Sequence, residues 1–370
     1  MPAGRVRCEL LFSLNAAQHA AVEHEGGPLL VLAGAGSGKT GTLAHRVARL
    51  IREGADPERL CLVTFSRRAA QELLARAGRL SDSGAAGRVW GGTFHSVANR
   101  VLRLHGRRLG LDPGFSILDS SDVTELFGLI RSDLCLNQSG DKAPRRRSPR
   151  ASTLASIYDR VVNTGDRLQV VLDRSFPWCA TEGEGIRASF EAYTARKRER
   201  QLLDYDDLLL CWRALGAAPG LLAGMFDHVL VDEYQDTNTL QADILAALCP
   251  DGHGLTVVGD DAQAIYGFRA ASSGNLLDFP TRFPGTTVVR LEQNYRSTPP
   301  IVAMANAVMA EAAAGAAMTK VLWSERPGSR RPLLRICGDE DAEAASVCDS
   351  VLAHRDAGVA LHDQAVLFRA

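Results

Sequence analysis

The chain has 370 residues, 46% of them hydrophobic, enough for two or three domains with cores of their own. Its 42 Lys and Arg against 43 Asp and Glu leave a formal charge of -1, so composition gives no sign of a polyanionic partner, although a local basic groove fits inside a neutral total. The eight cysteines stand singly, which argues against a zinc site or a disulfide framework and fits a reducing cytoplasm. The apolar stretch near the N-terminus is too short for a signal peptide, and no run of about 18 apolar residues occurs to span a membrane.

The first clear pattern is PLLVLAGAGSGKT, a buried strand (Leu29 to Leu32), a glycine-rich turn, then a helix from Lys39 to about Ile51. LCLVTF (Leu60 to Phe65) is a second short buried strand, followed by the helical RRAAQELLARAG, and RVWGGTFHS gives a third strand and a loop. Buried strands alternating with helices predict βαβ units and a parallel sheet. From about Ser96 to Leu203 helical periodicity dominates, broken by the polar loop LNQSGDKAPRRRSPR. Arg196, Lys197, Arg198 and Arg200 read as one face of a helix, and Arg145 to Arg147 with Arg150 as a solvated loop, against the competing reading of a nucleic-acid contact. Strand texture returns with DHVLVDEYQD and GLTVVGDDAQ, so one α/β domain is interrupted by a helical insertion. A second α/β texture begins near Thr286, and the final DQAVLFRA reads as a strand with nothing after it to cover it, so the chain is expected to be incomplete relative to its fold. The expected plan is residues 1–95 and 204–283 for the first domain, 96–203 for the insertion, and 284–370 for part of a second domain.

The segment Ala33, Gly34, Ala35, Gly36, Ser37, Gly38, Lys39, Thr40 fits G-x-x-x-x-G-K-[ST] apart from its Ala start. Successive backbone N–H groups of such a turn point into one concavity at a helix N-terminus and cradle phosphate. Lys39 would reach the β- and γ-phosphates of ATP, and the Thr40 hydroxyl would ligate Mg²⁺. The bland alternative is a plain turn between core elements. In VLVDEYQD, Asp232 would hold the Mg²⁺ shell and Glu233 would orient or deprotonate the attacking water. In VVGDDAQAIYGFRAA, Gln263 stands where a sheet-end amide senses the γ-phosphate. Tyr266, Phe268 and Arg269 suit stacking on bases, against the competing reading of core residues at a helix start. In LEQNYRST, Tyr295 suits stacking on a purine and Arg296 suits charge on the transferring phosphoryl group.

These segments, in this order, resemble the UvrD/PcrA/Rep-like superfamily 1 DNA helicases over almost the whole chain. LNAAQHAAV looks like the family's adenine-reading motif, with Gln18 as the amide that reads the base edge. TFSRRAAQEL (Thr64, Phe65) and TFHS (Thr93, Phe94, His95) are similar to its DNA-contacting segments, although His95 also suits a local hydrogen bond. LDYDDLL is similar to the segment that precedes its acidic motif. The resemblance implies two RecA-like P-loop NTPase domains that clamp ATP between them, with a helical insertion in the first. It also implies 3′-to-5′ movement on single-stranded DNA, unwinding of duplex DNA, and work in repair or replication. Carried over, Tyr295 would stack on adenine, Arg296 would contact the γ-phosphate, Gln263 would couple nucleotide to DNA, and Tyr266 and Phe268 would be base platforms.

There are departures from the pattern. Gly41 stands where the family usually has an Arg near the adenine, Phe268 replaces a Trp, and Arg67 and Arg68 replace an Asn-Lys pair. The family continues past V-L-F-R with motifs V and VI. An arginine of the last kind is worth about 10³–10⁵ in rate, so the chain alone is expected to bind ATP better than it hydrolyses it. An ATP-gated DNA-binding module that never unwinds is the alternative from another class. Another kind of P-loop ATPase lacks its signature here, and an RNA track fits the Q-N-Y-R-S form less well than DNA does.

Overall fold

The computed structural model describes residues 14–81, 84–137, 149–216, 221–265, 274–312 and 320–368. Six strands form one wholly parallel sheet in the order β3-β2-β6-β7-β1-β8. They are β1 (Leu29–Ala33), β2 (Leu60–Val63), β3 (Trp90–Gly92), β6 (His228–Val231), β7 (Leu255–Gly259) and β8 (Thr287–Leu291). β1, β2 and β7 are buried at every position. Helices cover both faces, so alternate side chains of each strand enter different cores and the strands read as unbroken apolar runs. Leu30, Leu32, Cys61, Val63, Val229 and Val257 belong to one core, with Trp90 and Trp212. Leu29, Val31, Leu60, Leu62, Leu230 and Val258 belong to the other, beneath the helices Lys39–Arg52 and Arg67–Ser81.

β8 lies in this first sheet, paired with β1 from Leu29↔Thr287 to Ala33↔Leu291, although its segment was expected to open a second domain at residue 284. β1 would otherwise be an edge with unpaired backbone groups, and β8 closes it. The helix Phe94–His105 likewise faces the main core through Val97, Ala98, Val101 and Leu102, so the insertion's own packing begins later than residue 96. That packing gathers Phe127, Ile130, Leu154, Ile157, Leu172, Ile186 and Tyr193 from four helices, Ser120–Asn137, Ala151–Thr164, Leu168–Ser175 and Gly183–Glu199. A short parallel pair, β4 (Ser116–Ile117) and β5 (Leu202–Leu203), closes its base.

Lys197 is buried in the midst of a run of charged residues on the helix Gly183–Glu199. Its side chain is 2% exposed, and its ammonium meets Asp204 at 2.5 Å and Asp207 at 2.6 Å over the Tyr193 ring. Arg196, one position away, does stay at the surface, half-exposed and paired with Asp133. At the other end of the chain, residues 364–368 form no strand, and Leu367 and Phe368 are 94% and 85% exposed. An isolated apolar run has no neighbour to receive its backbone hydrogen bonds. The helix Glu340–Asp356 buries none of its residues. Among the described residues no helix is long and apolar enough to cross a membrane.

A buried arginine joins the first helix to the sheet. Arg46 donates to the carbonyls of Ala21, Val22 and His24 and to the Thr256 hydroxyl, at 2.9–3.1 Å. Those carbonyls lie at the C-terminal end of the helix Ala16–Glu23, where no intrahelical donor remains for them. Burial, and then the nearby Arg49, lower the guanidinium to about 10, so it still carries its charge at neutral pH. Arg46→Met is expected to cost about 3 kcal/mol of stability or more, because it leaves buried acceptors unpaired; the urea midpoint of the chain measures it.

Asp206, in the first turn of the helix Tyr205–Gly216, titrates far from its usual range. Burial, Asp159 and Asp204 push it up to about 8, against the Asn163 amide that donates to it. The folded chain therefore holds a proton that the unfolded chain releases near pH 4, and stability falls by about 1.4 kcal/mol per unit as pH rises between those values. Asp206→Asn keeps the hydrogen bond and removes the charge. It should change stability little near pH 4 and stabilise increasingly toward about pH 8. Urea midpoints for both chains across that range test this, and a constant offset would contradict it.

Candidate functional site

Six of the segments singled out in the sequence follow the C-terminal ends of strands of one sheet. The glycine-rich loop follows β1, Thr64 and Phe65 follow β2, and Thr93 follows β3. Asp232 and Glu233 follow β6, Asp260 to Gln263 follow β7, and Gln293 to Arg296 follow β8. Parallel strands put all these ends on one side, which is where open α/β sheets bind ligands.

The loop turns through Gly36 and Gly38, with φ of +73° and +84°, values that an L side chain reaches only with strain. A Cβ on Gly36 would sit 2.7 Å from that of Arg296, so glycine also permits the close approach of the tail of β8. The buried Ser37 closes the turn, its hydroxyl donating to the Gly34 carbonyl at 2.7 Å. Lys39 begins its helix with its side chain only 10% exposed, while Thr40 points to solvent. Gly41 leaves space that the Arg76 guanidinium borders.

Two amides brace this loop. Gln18 is 4% exposed, and its Nε2 donates to the Ser37 carbonyl at 2.9 Å while its Oε1 accepts the Asn15 N–H at 3.0 Å. Both ends of the amide expected to read adenine are thus engaged by protein. Asn294 donates to the Ala35 carbonyl at 2.6 Å and accepts the N–H groups of Arg296 and Ser297. Tyr295, 46% exposed, lies beside Asn15, whose Nδ2 donates to its hydroxyl at 3.0 Å. Gln18, Asn15 and Tyr295 therefore stand together along one flank of the loop. Arg296 is exposed at its end.

The acidic pair faces the loop from β6. Asp232 is buried, and burial, together with the charge of Glu233, pushes its carboxyl up to about 6 against the pull of Lys39. Glu233 holds a left-handed backbone, φ +51° and ψ +48°, rare outside glycine and a mark of functional turns. That turn brings its Oε2 to 2.9 Å from Lys39 Nζ and 2.8 Å from Gln235 Nε2. Asp236 Oδ1 is buried without a hydrogen bond, and its carboxyl is raised to about 6, by burial first and then Glu233.

Asp232, Glu233 and Asp236 share a cavity of about 200 Å³ with Thr64, Phe65 and His95. Within it Phe65 is 44% exposed, whereas the Thr64 hydroxyl is spent on the Ser66 carbonyl. Thr93 caps the helix Phe94–His105, and Phe94 is a core residue against Trp212. His95 meets the Tyr205 ring edge-on at 5.7 Å, and burial lowers its pKa. Tyr205, 44% exposed, was passed over in the sequence, although it lies inside LDYDDLL. Gln263 donates to Asp260 Oδ2 at 2.5 Å. Tyr266, Phe268 and Arg269 lie outside the described residues.

Sequence reasoning also missed three residues that join these parts, Gln235, Asn294 and Asp260. Gln235, 1% exposed, donates to Glu233 and accepts the Asp260 N–H at 3.0 Å. Its position two residues beyond Glu233 was the available signal.

Comparison with known proteins identifies the family. Residues 14–284 match the UvrD/REP helicase N-terminal domain, and residues 289–370 match the UvrD-like helicase C-terminal domain. The chain is 35% identical to the ATP-dependent DNA helicase PcrA of Leuconostoc citreum, over 96% of this chain and 47% of that protein. It is 34% identical to the ATP-dependent DNA helicase UvrD1 of Mycobacterium leprae, over 98% of this chain and 47% of that protein. With UvrD2 of Mycobacterium tuberculosis the identity is 36%, over 97% of this chain and 52% of that protein. The chain thus spans about half the length of the curated relatives it matches. By its sequence match, its parallel sheet and the clustering of its motifs at the C-terminal ends of the strands, the chain belongs to the UvrD/REP helicase family.

Proposed function

We propose that this chain binds ATP with Mg²⁺ at the Gly34–Thr40 loop and couples hydrolysis to 3′-to-5′ movement on single-stranded DNA, as the nucleotide-binding part of a cytoplasmic helicase that unwinds duplex DNA in repair or replication. The observation that carries this reading is the shared cavity. Asp232 and Glu233 line it together with Phe65 and His95, so a change at the acids falls in the same cavity as side chains that would contact the track.

The loop N–H groups and the N-terminus of the helix Lys39–Arg52 receive the phosphates. The donor set fits Mg²⁺, which keeps few protein ligands and takes the rest from phosphate and water. Asp232 is a buried carboxylate accepting one backbone N–H at 3.1 Å, and Thr40 is exposed at the loop's end. When bound, Mg²⁺ would neutralise charge on the β- and γ-oxygens.

Lys39 has a partner to give up. Its ammonium pairs with Glu233, and arriving phosphate competes for the same cation. Exchange would put Lys39 on the phosphate and free the Glu233 carboxylate to take a proton from water. Gln263 would read the γ-phosphate from the end of β7, Arg296 would face the same charge, and Tyr295 would stack on the base beside Gln18. Phe65, with Tyr266, Phe268 and Arg269, would contact DNA.

Phosphate release with and without single-stranded oligonucleotide tests the reading. Lys39→Ala should abolish DNA-stimulated hydrolysis, and equal hydrolysis by parent and variant would sink the motor reading. Glu233→Gln should behave differently. Hydrolysis should fall by about 10²-fold or more through loss of the base. Binding of a fluorescent ATP analogue should hold or tighten, because Lys39 no longer has a competing carboxylate. Weaker binding in this variant would show that Glu233 supports the loop rather than the chemistry.

A further inference from the structure

A hydrogen-bonded chain runs from the nucleotide loop to a residue that no motif includes. Lys39 meets Glu233 at 2.9 Å, and Glu233 meets the Gln235 amide at 2.8 Å. The other end of that amide accepts the Asp260 N–H at 3.0 Å. The Asp260 carboxylate, 1% exposed, holds the Gln263 amide on Oδ2 and the Ala262 N–H on Oδ1. Oδ1 also receives Lys320, whose ammonium bridges Asp260 and Asp261 with its side chain only 8% exposed.

The segment that carries Lys320 is fastened down. Val321 donates to the Glu292 carboxylate, and Leu322 exchanges two hydrogen bonds with the Asn306 amide. Trp323 pairs with the backbone of Glu292 and Asn294. Two residues beyond Lys320, the Leu322 side chain lies on the loop itself: a Cβ added to Gly34 would be 2.3 Å from it. One extended segment thus touches both the phosphate loop and the Gln263 turn.

We infer that Lys320 is a positioning residue for ATP recognition, holding Asp260 so that the Gln263 amide is kept at the γ-phosphate end of the site. Two adjacent carboxylates, one of them fully buried, repel each other and are costly to keep charged without a cation. Without the ammonium Asp260 loses the partner that fixes its rotamer, and Gln263 loses its anchor. Lys320 reaches no reacting atom, so its effect is confined to the phosphate that Gln263 faces. This deepens the ATP-binding reading and rests on it.

The test compares binding of fluorescent ATP and ADP analogues to the full 370-residue chain. In Lys320→Met the preference for ATP over ADP should fall at least about fivefold, as expected for removing a charged hydrogen-bond partner, while ADP affinity stays within about twofold. Lys320→Arg, which keeps the cation, should restore most of the preference. Asp261→Asn, which leaves Asp260 paired, should lose less than Lys320→Met and guards against a variant that fails to fold. An unchanged preference in Lys320→Met, an equal loss of ATP and ADP affinity, no rescue by Arg, or a parent chain that does not prefer ATP would each overturn the assignment. Lys39→Ala serves as the separate control. If it binds ATP as the parent does, the ATP-site reading itself fails, whatever Lys320 does.

Discussion

Lys39 and Glu233 are 194 residues apart in the chain and 2.9 Å apart in space, and the arrangement of the site follows from that pair. A lysine whose side chain is 10% exposed needs a counter-charge, since an isolated buried ammonium is far more costly than a solvated one. Glu233, on a loop at the same end of the sheet, supplies it. The pair therefore requires β1 and β6 to be parallel and in register, which their shared neighbour β7 enforces. It also explains why Glu233 tolerates a left-handed backbone: the turn is what aims its carboxylate at the loop.

The same constraint accounts for the amides that surround the pair. Each loop leaving the sheet exposes backbone groups that lose water as the loops crowd together, and each must find a partner. Gln18 serves Ser37, Asn294 serves Ala35, and Gln235 serves Asp260. Side-chain amides suit this task because one end donates while the other accepts, so one residue joins two loops. A carboxylate or an ammonium in these places would add charge to a site that already balances Lys39 against three acids.

Much of this was legible in the sequence. The strand, loop and helix around Lys39 each left a local mark: an apolar run, glycines where φ is positive, and an amphipathic helix. Asp232 and Glu233 were marked by the apolar strand before them. What was not legible depends on partners distant in the chain. Lys197 sits among charged neighbours that hide its burial, because nothing in RKRER says which of them turns toward Asp204 and Asp207. β8 reads as a strand, yet nothing local tells which sheet it joins. The helix Phe94–His105 has the same periodicity whether its apolar face meets the main core or the insertion. Phe94 shows the hazard at the site: an aromatic in a motif expected to contact DNA lies in the core against Trp212.

The placement of β8 has a mechanical consequence. Because it pairs with β1 along five residues, the strand that carries the glycine-rich loop and the strand that carries Asn294, Tyr295 and Arg296 form one stiff unit. Asn294 then ties the end of that unit to Ala35, and Tyr295 donates its N–H to the Gly36 carbonyl at 2.9 Å. Groups proposed to meet the base and the γ-phosphate are thus fixed to the loop that holds the phosphates. The segment around Trp323 is tied to the same unit by its backbone pairing with Glu292 and Asn294. Such a layout gives the nucleotide proposed here a rigid seat. A nucleotide could therefore stay anchored while the walls around its last phosphate change, as coupling hydrolysis to movement along a strand requires.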